Sequence, residues 1–139
     1  MEAIINDIID KIQQKFVTEF LEVFGDSGWQ FDYETKISKF SPSIFLQTGY
    51  HNYEISNGVD FWYNKLISEE TKQILIQVDK EYRSGERSFH KLVYQITCKD
   101  GTVKKILDIG VVIKRREDGT PLNIIGTTTD IENIKKLIS

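Results

Sequence analysis

Cysteine and histidine are scarce in this 139-residue chain, which holds one of the first and two of the second. A lone Cys98 cannot close an internal disulfide, and Cys98 with the distant His51 and His90 gives no metal-ligand spacing. A basic excess is also missing: the net charge of -3 and pI near 5.4 argue against a nucleic-acid module. The one basic run, Lys114-Arg115-Arg116, meets Glu117-Asp118 at once and reads as a solvated hairpin end. No apolar run approaches the roughly 20 residues that span a bilayer. Residues 1–24 alternate Ile and Phe with charged residues, unlike a signal peptide. The segment is therefore expected to be cytoplasmic, without membrane or nucleic-acid contact. A phosphate-cradling glycine loop and a nucleophile elbow are both lacking, so no enzymatic activity is expected of this segment by itself.

What is present suits one globular domain, with 40% hydrophobic and 28% charged residues. From Ile4 to Phe24, apolar residues recur at steps of three and four, predicting an amphipathic helix that stops around Gly25 to Gly28. Trp29, Phe31 and Tyr33 alternate with polar residues as in a half-buried strand, and a second short strand follows at Ile37 to Phe40. Ser41-Pro42 opens a short helix that Thr48-Gly49 closes. Short helical turns are expected between Tyr50 and Ile67, with a turn at Asn57-Gly58. Ser68 then caps a longer helix with Glu69 and Glu70 in its first turn and an inner face of Ile74, Leu75, Val78 and Tyr82.

The C-terminal third carries the strongest pattern. Asp100-Gly101 and Asp118-Gly119 separate three strand-like runs, Ser88 to Cys98, Val103 to Arg115 and Leu122 to Asp130, which predicts an antiparallel meander. Leu92, Tyr94, Ile96 and Cys98 share one face of the first run, and Leu107, Ile109, Val111 and Ile113 one face of the second. A last helix begins at Ile131.

These residues, in this order, resemble a bacterial sensory PAS domain ending in a PAC motif. The resemblance covers about residues 28–134 and rests on Trp29 to Tyr33, Phe40-Ser41-Pro42-Ser43, Thr48-Gly49-Tyr50, Phe61-Trp62, Lys99-Asp100-Gly101, Asp118-Gly119-Thr120-Pro121 and Gly126 to Asp130. It implies an α+β fold, a five-stranded antiparallel sheet with helices on one face, preceded here by the amphipathic helix. The expected division is residues 1–27 for that helix, 28–134 for the sensor and 135–139 for the start of an exit helix.

The resemblance further implies sensing of a small molecule, or passage of a signal through flanking helices, to a covalently linked output domain such as a histidine kinase or diguanylate cyclase. The alternative is a ligand-free dimerisation module. Haem sensors of this type use a His on the central helix, and residues 68–84 have none; photoactive flavin sensors use an Asn-Cys-Arg-Phe-Leu-Gln motif that is absent. Haem and photoactive flavin are thus disfavoured, and the cofactor is left unidentified. Phe45, Tyr50, Trp62, Leu66, Tyr94, Ile96 and Ile109 either line a pocket between helices and sheet or simply fill the core. Asp130 can cap the exit helix at Ile131 and so couple sheet to helix. Ile5, Ile9, Ile12 and Phe16 are the candidate stripe of a homodimer, although a helix-on-sheet contact is also open.

Overall fold

The computed structural model describes residues 2–9, 11–12, 15, 27–55 and 58–138. Residues 2–9 form helix α1, and residues 11, 12 and 15 are helical as well. Phe16, Phe20, Phe24 and Gly25, invoked above for the stripe and its end, lie outside the described residues, as does Asn57.

A five-stranded antiparallel sheet follows, built from β1 (Ser27–Asp32), β2 (Ile37–Phe40), β3 (Phe89–Thr97), β4 (Val103–Arg115) and β5 (Pro121–Asp130) in the order β2-β1-β5-β4-β3. Ser27 and Gly28, placed by sequence in the helix stop, instead pair with Thr128 and Thr127 as the first residues of β1. The helices α2 (Ser43–Thr48), α3 (Gly58–Phe61) and α4 (Glu69–Ser84), with a 3-10 turn at Asn52–Glu54 and a π-type turn at Trp62–Leu66, fill the connection from β2 to β3. Helix α5 (Ile131–Ile138) continues directly from β5.

Local chemistry explains most of these boundaries. The Ser68 hydroxyl accepts the Thr71 N–H at 3.2 Å, and Gly85 ends α4 at φ +86°, a conformation that glycine adopts without steric cost. Gly101 and Gly119 turn the two hairpins at φ +87° and +91°. Ser41 departs from expectation. It does not cap α2; its hydroxyl accepts the Gly28 N–H at 2.8 Å and so fastens the start of the helical layer to β1.

The buried face of the sheet carries Tyr94, Ile96 and Ile106 against Ile44, Phe61, Trp62 and Leu66 of the helical layer. A second apolar cluster joins Tyr33 and Ile124 to Val78 and Tyr82 of α4. Ile74, expected on the inner face of α4, is 50% exposed, and the buried side of that helix runs through Val78 and Tyr82. On β4 the apolar alternation marks the opposite face from the helices. Tyr94 lies across from Ile106, so Ile106 and Asp108 point inward, whereas Ile109 and Val111 are 37% and 42% exposed on the outer face.

Gly110 and Gly126 face each other across β4 and β5, and the Trp29 indole lies over them. A Cβ at Gly126 would sit 2.3 Å from Trp29 Cζ2 and 2.2 Å from the Ile109 carbonyl oxygen. Gly126→Ala should therefore lose about 1–3 kcal/mol in urea unfolding, as overpacking does, and should alter the near-ultraviolet circular dichroism of tryptophan. Gly85→Ala, with nothing within 4 Å of the added Cβ, should cost about 1–2 kcal/mol through its backbone conformation alone and leave that signal unchanged.

Candidate functional site

A cavity of about 460 Å³ opens between α4, the α3 and π-type turns and the β1 side of the sheet. That volume lies within the range of about 300–1,000 Å³ common for small-molecule sites. Its walls are largely apolar or aromatic, including Trp29, Phe40, Val59, Trp62, Leu75 and Val78. Asp79 and Arg83 of α4 also line it, joined by an ion pair of 3.0 Å, and the Tyr33 hydroxyl donates to Asp79 at 2.5 Å.

The deep side of the cavity holds Asp108, only 6% exposed. Three donors converge on its carboxylate. Tyr94 O–H reaches Oδ2 at 2.5 Å, Trp29 Nε1–H reaches Oδ1 at 3.3 Å, and His90 Nε2 lies 3.2 Å from Oδ1. The network extends outward. Trp62 Nε1–H donates to the Tyr94 oxygen at 3.0 Å, and Tyr82 O–H meets His90 Nδ1 at 2.6 Å, closer than its 3.3 Å approach to the Gly110 carbonyl. The His90 ring thus bridges Tyr82 and Asp108, with Nδ1 facing the hydroxyl and Nε2 facing the carboxylate. His90 also stacks on Trp29, with ring centroids 5.9 Å apart.

The fold produces this arrangement through alternation. Residues 90 and 94 of β3 and 108 and 110 of β4 all fall on the inward face, and Leu92 lies across from Asp108. The glycine pair lets Trp29 drop onto the sheet far enough for its N–H to reach the carboxylate. Burial pushes the Tyr94 hydroxyl well above its ordinary pKa of 10, and the adjacent Asp108 charge adds to the shift. Burial also raises Tyr82, Tyr63 and Tyr33, the last further through its bond to Asp79.

Of the seven pocket positions proposed from sequence, Trp62 lines the cavity. Leu66, Tyr94 and Ile96 are buried in the adjoining cluster, with Phe45 and Tyr50 packed against it, and Ile109 lies on the outer face. Asp130 accepts the Glu132 N–H at 2.9 Å, at the start of α5 where Ile131 is the first residue. Ile5, Ile9 and Ile12 are 45–63% exposed. Cys98 is buried, its Sγ 3.4 Å from the Gln47 carbonyl oxygen, and burial raises its thiol pKa. Sequence reasoning missed Asp108 and the polar roles of Tyr82 and Trp29. The available signal was an acid flanked by Leu107 and Ile109, together with glycines inside two strands, which mark close approach.

Among the described residues, no cluster of three or more His, Cys, Asp or Glu is placed to hold a metal, and no helix is long and apolar enough to cross a membrane.

These features define a class, a small α+β domain whose helices leave a ligand-sized cavity over one face of an antiparallel sheet. The model of the PAS fold family matches residues 37–128, and the chain belongs to that family. Among solved structures, the N-terminal domain of a diguanylate cyclase with PAS/PAC sensor from Marinobacter aquaeolei is similar at 21% identity and TM-score 0.65, over 78% of this chain and 97% of that one. A sensory box histidine kinase/response regulator from Burkholderia thailandensis is similar at 16% identity and TM-score 0.62, over 86% of this chain and 87% of that one. A light-oxygen-voltage domain studied through a flavin analogue matches at 18% identity and TM-score 0.62, over 89% of this chain and 90% of that one. No curated protein matches the sequence.

The third likeness corrects the expectation that disfavoured photoactive flavin. Several light-oxygen-voltage proteins, one of them from Rhodobacter sphaeroides, share this fold. The missing Asn-Cys-Arg motif concerns the reactive cysteine, not the space a flavin ring would occupy, so flavin is not excluded as a cofactor.

Tyr94→Phe removes both a donor to Asp108 and the acceptor of Trp62 N–H. It should cost about 1–3 kcal/mol at neutral pH in urea unfolding, the penalty of unsatisfied buried polar groups. Alkali tests the same network. A tyrosine whose folded pKa is raised binds its proton more tightly when folded, so its contribution is complete below pH 10 and is lost as pH rises beyond that toward the folded pKa. The native domain should thus lose stability above pH 10, with the tyrosinate absorbance of Tyr33, Tyr63, Tyr82 and Tyr94 appearing together with unfolding.

Proposed function

We propose that this domain is the sensory input module of a cytoplasmic signalling protein, binding a small molecule in the cavity beside Asp108 and passing the change through α5 to an output domain. The observation that carries this reading is the cavity itself, apolar along its walls and floored by a buried polar network. The likeness to the sensor part of a diguanylate cyclase and to a sensory histidine kinase supports a linked output domain, with a histidine kinase the favoured one. The domain itself performs no chemistry in this scheme.

A route from cavity to exit helix is short. Tyr94, bonded to Asp108, lies across from Ile106, and Ile106 lies across from Asp130 on β5. Asp130 holds the first turn of α5 through the Glu132 N–H. Movement of Tyr94 on ligand binding would thus act on the residue that starts the helix. The sensor region is taken as residues 28–134, flanked by helices. A second copy of the chain would be held through the exposed Ile5 and Ile9 of α1, the helical Ile12 beyond it, and the outer sheet face at Ile109 and Val111.

Native mass spectrometry of the purified protein tests the reading in one spectrum. A dimer retaining a small molecule is expected. A bare species that takes up no compound from a metabolite extract would instead leave a ligand-free dimerisation module. In the chain joined to its output domain, Asp130→Ala should abolish the ligand-dependent change in output while ligand affinity stays within about twofold, the two being separable as coupling and binding free energies. An unchanged output response would remove Asp130 from the route.

A further inference from the structure

Among the described residues, no lysine or arginine pairs with the buried Asp108 carboxylate. Its hydrogen-bond partners are Trp29, Tyr94 and His90, none of them a permanently charged side chain. The nearby Arg83 is committed to Asp79 at 3.0 Å. Buried charges are ordinarily matched by an opposite charge or by a full set of donors. A carboxylate has about four acceptor positions, and the three donors fill two on Oδ1 and one on Oδ2. One acceptor position on Oδ2 is left, and Asp108 lines the cavity.

The walls define the rest of the ligand. Trp29 and Trp62, both lining the cavity, provide flat aromatic surfaces, and Phe40 stacks on Trp62 at 6.0 Å. Val59, Leu75 and Ile76 supply apolar contact, and the charged side chains lining the cavity besides Asp108 are Lys36 and the paired Asp79 and Arg83. A planar body is favoured by such surfaces, and a cation gains from facing an indole as well as from the carboxylate.

We propose that the cavity selects a flat aromatic or heteroaromatic compound bearing a cationic N–H edge, of amidine or protonated-heterocycle type, which donates to Asp108 Oδ2. This specificity rests on the cavity being the sensor's ligand site. An anionic ring would place like charges together at the deep end, and a purely apolar ring would leave the fourth acceptor position unfilled. The carboxylate thus discriminates by charge, while the indoles discriminate by shape.

The chain contains only two tryptophans, so its nitrogen–proton NMR spectrum has two indole signals, both from the cavity. Titrating the whole protein with benzamidine, benzamide and benzoate compares a cation, a neutral amide and an anion of nearly one shape. Benzamidine should shift both indole signals and bind at least about tenfold more tightly than benzoate, the scale of a hydrogen bond to a charged group. Asp108→Asn, which keeps the size and removes the charge, should bring benzamidine to within about threefold of benzamide, the charge-assisted share of that bond being lost. If benzamide or benzoate binds as well as benzamidine in the native protein, the cationic selectivity is wrong while the cavity remains a ligand site. If none of the three moves either indole signal, the sensing reading of the cavity falls together with the selectivity. The native-protein series decides the matter even where Asp108→Asn fails to fold.

Discussion

A carboxylate removed from water dictates the interior of this domain. Unpaired, Asp108 would carry a desolvation penalty larger than a single mutation usually imposes. The surrounding residues answer it with aromatic donors: Tyr94 from the neighbouring strand, Trp29 from β1 and His90 from β3. Each donor has its own requirement. Tyr94 accepts from Trp62, which ties the π-type turn to the sheet, and His90 shares a hydrogen bond with Tyr82, which ties α4 to the sheet. One charge therefore sets the positions of two pieces of the helical layer, and those pieces frame the cavity.

The glycines at 110 and 126 are the spatial condition for that arrangement. Mid-strand glycine ordinarily weakens a sheet, because it adds backbone entropy and packs nothing. Here the missing side chains are replaced by the indole of Trp29, which lies on the pair and stacks against His90. The sheet loses two small contacts and gains a large aromatic surface. An apolar core of ordinary alternating residues would have left no room for this indole, and the cavity floor would have been closed by side chains of β4 and β5.

Much of the architecture was legible in the chain because local signals and tertiary packing agree. Asp-Gly turns set the two hairpins, Ser68 opens α4, and the period of two at Trp29 to Tyr33 marks β1. The face of β4 was read less well. Leu107, Ile109, Val111 and Ile113 form the more apolar alternation, yet the register with β3 turns Ile106, Asp108 and Gly110 inward. Hydrophobicity alone misleads where the buried face holds an acid and a glycine serving a polar network. The same cause hid most of the cavity: its defining groups are polar or are spread from β1 to β5, and only Trp62 among the residues singled out for a pocket lines it. Ser41 looked like a helix cap because capping residues are recognised locally, while its actual partner, Gly28, is 13 positions away.

The junction of β5 and α5 has no intervening loop: Asp130 is the last residue of the strand and Ile131 the first of the helix. A flexible linker between them would absorb rotation as slack. Here the eight residues of α5, at about 1.5 Å per residue, act as a lever arm of about 12 Å rooted directly in the sheet. A small angular change at the strand end is therefore magnified along that arm into a larger lateral displacement at its tip.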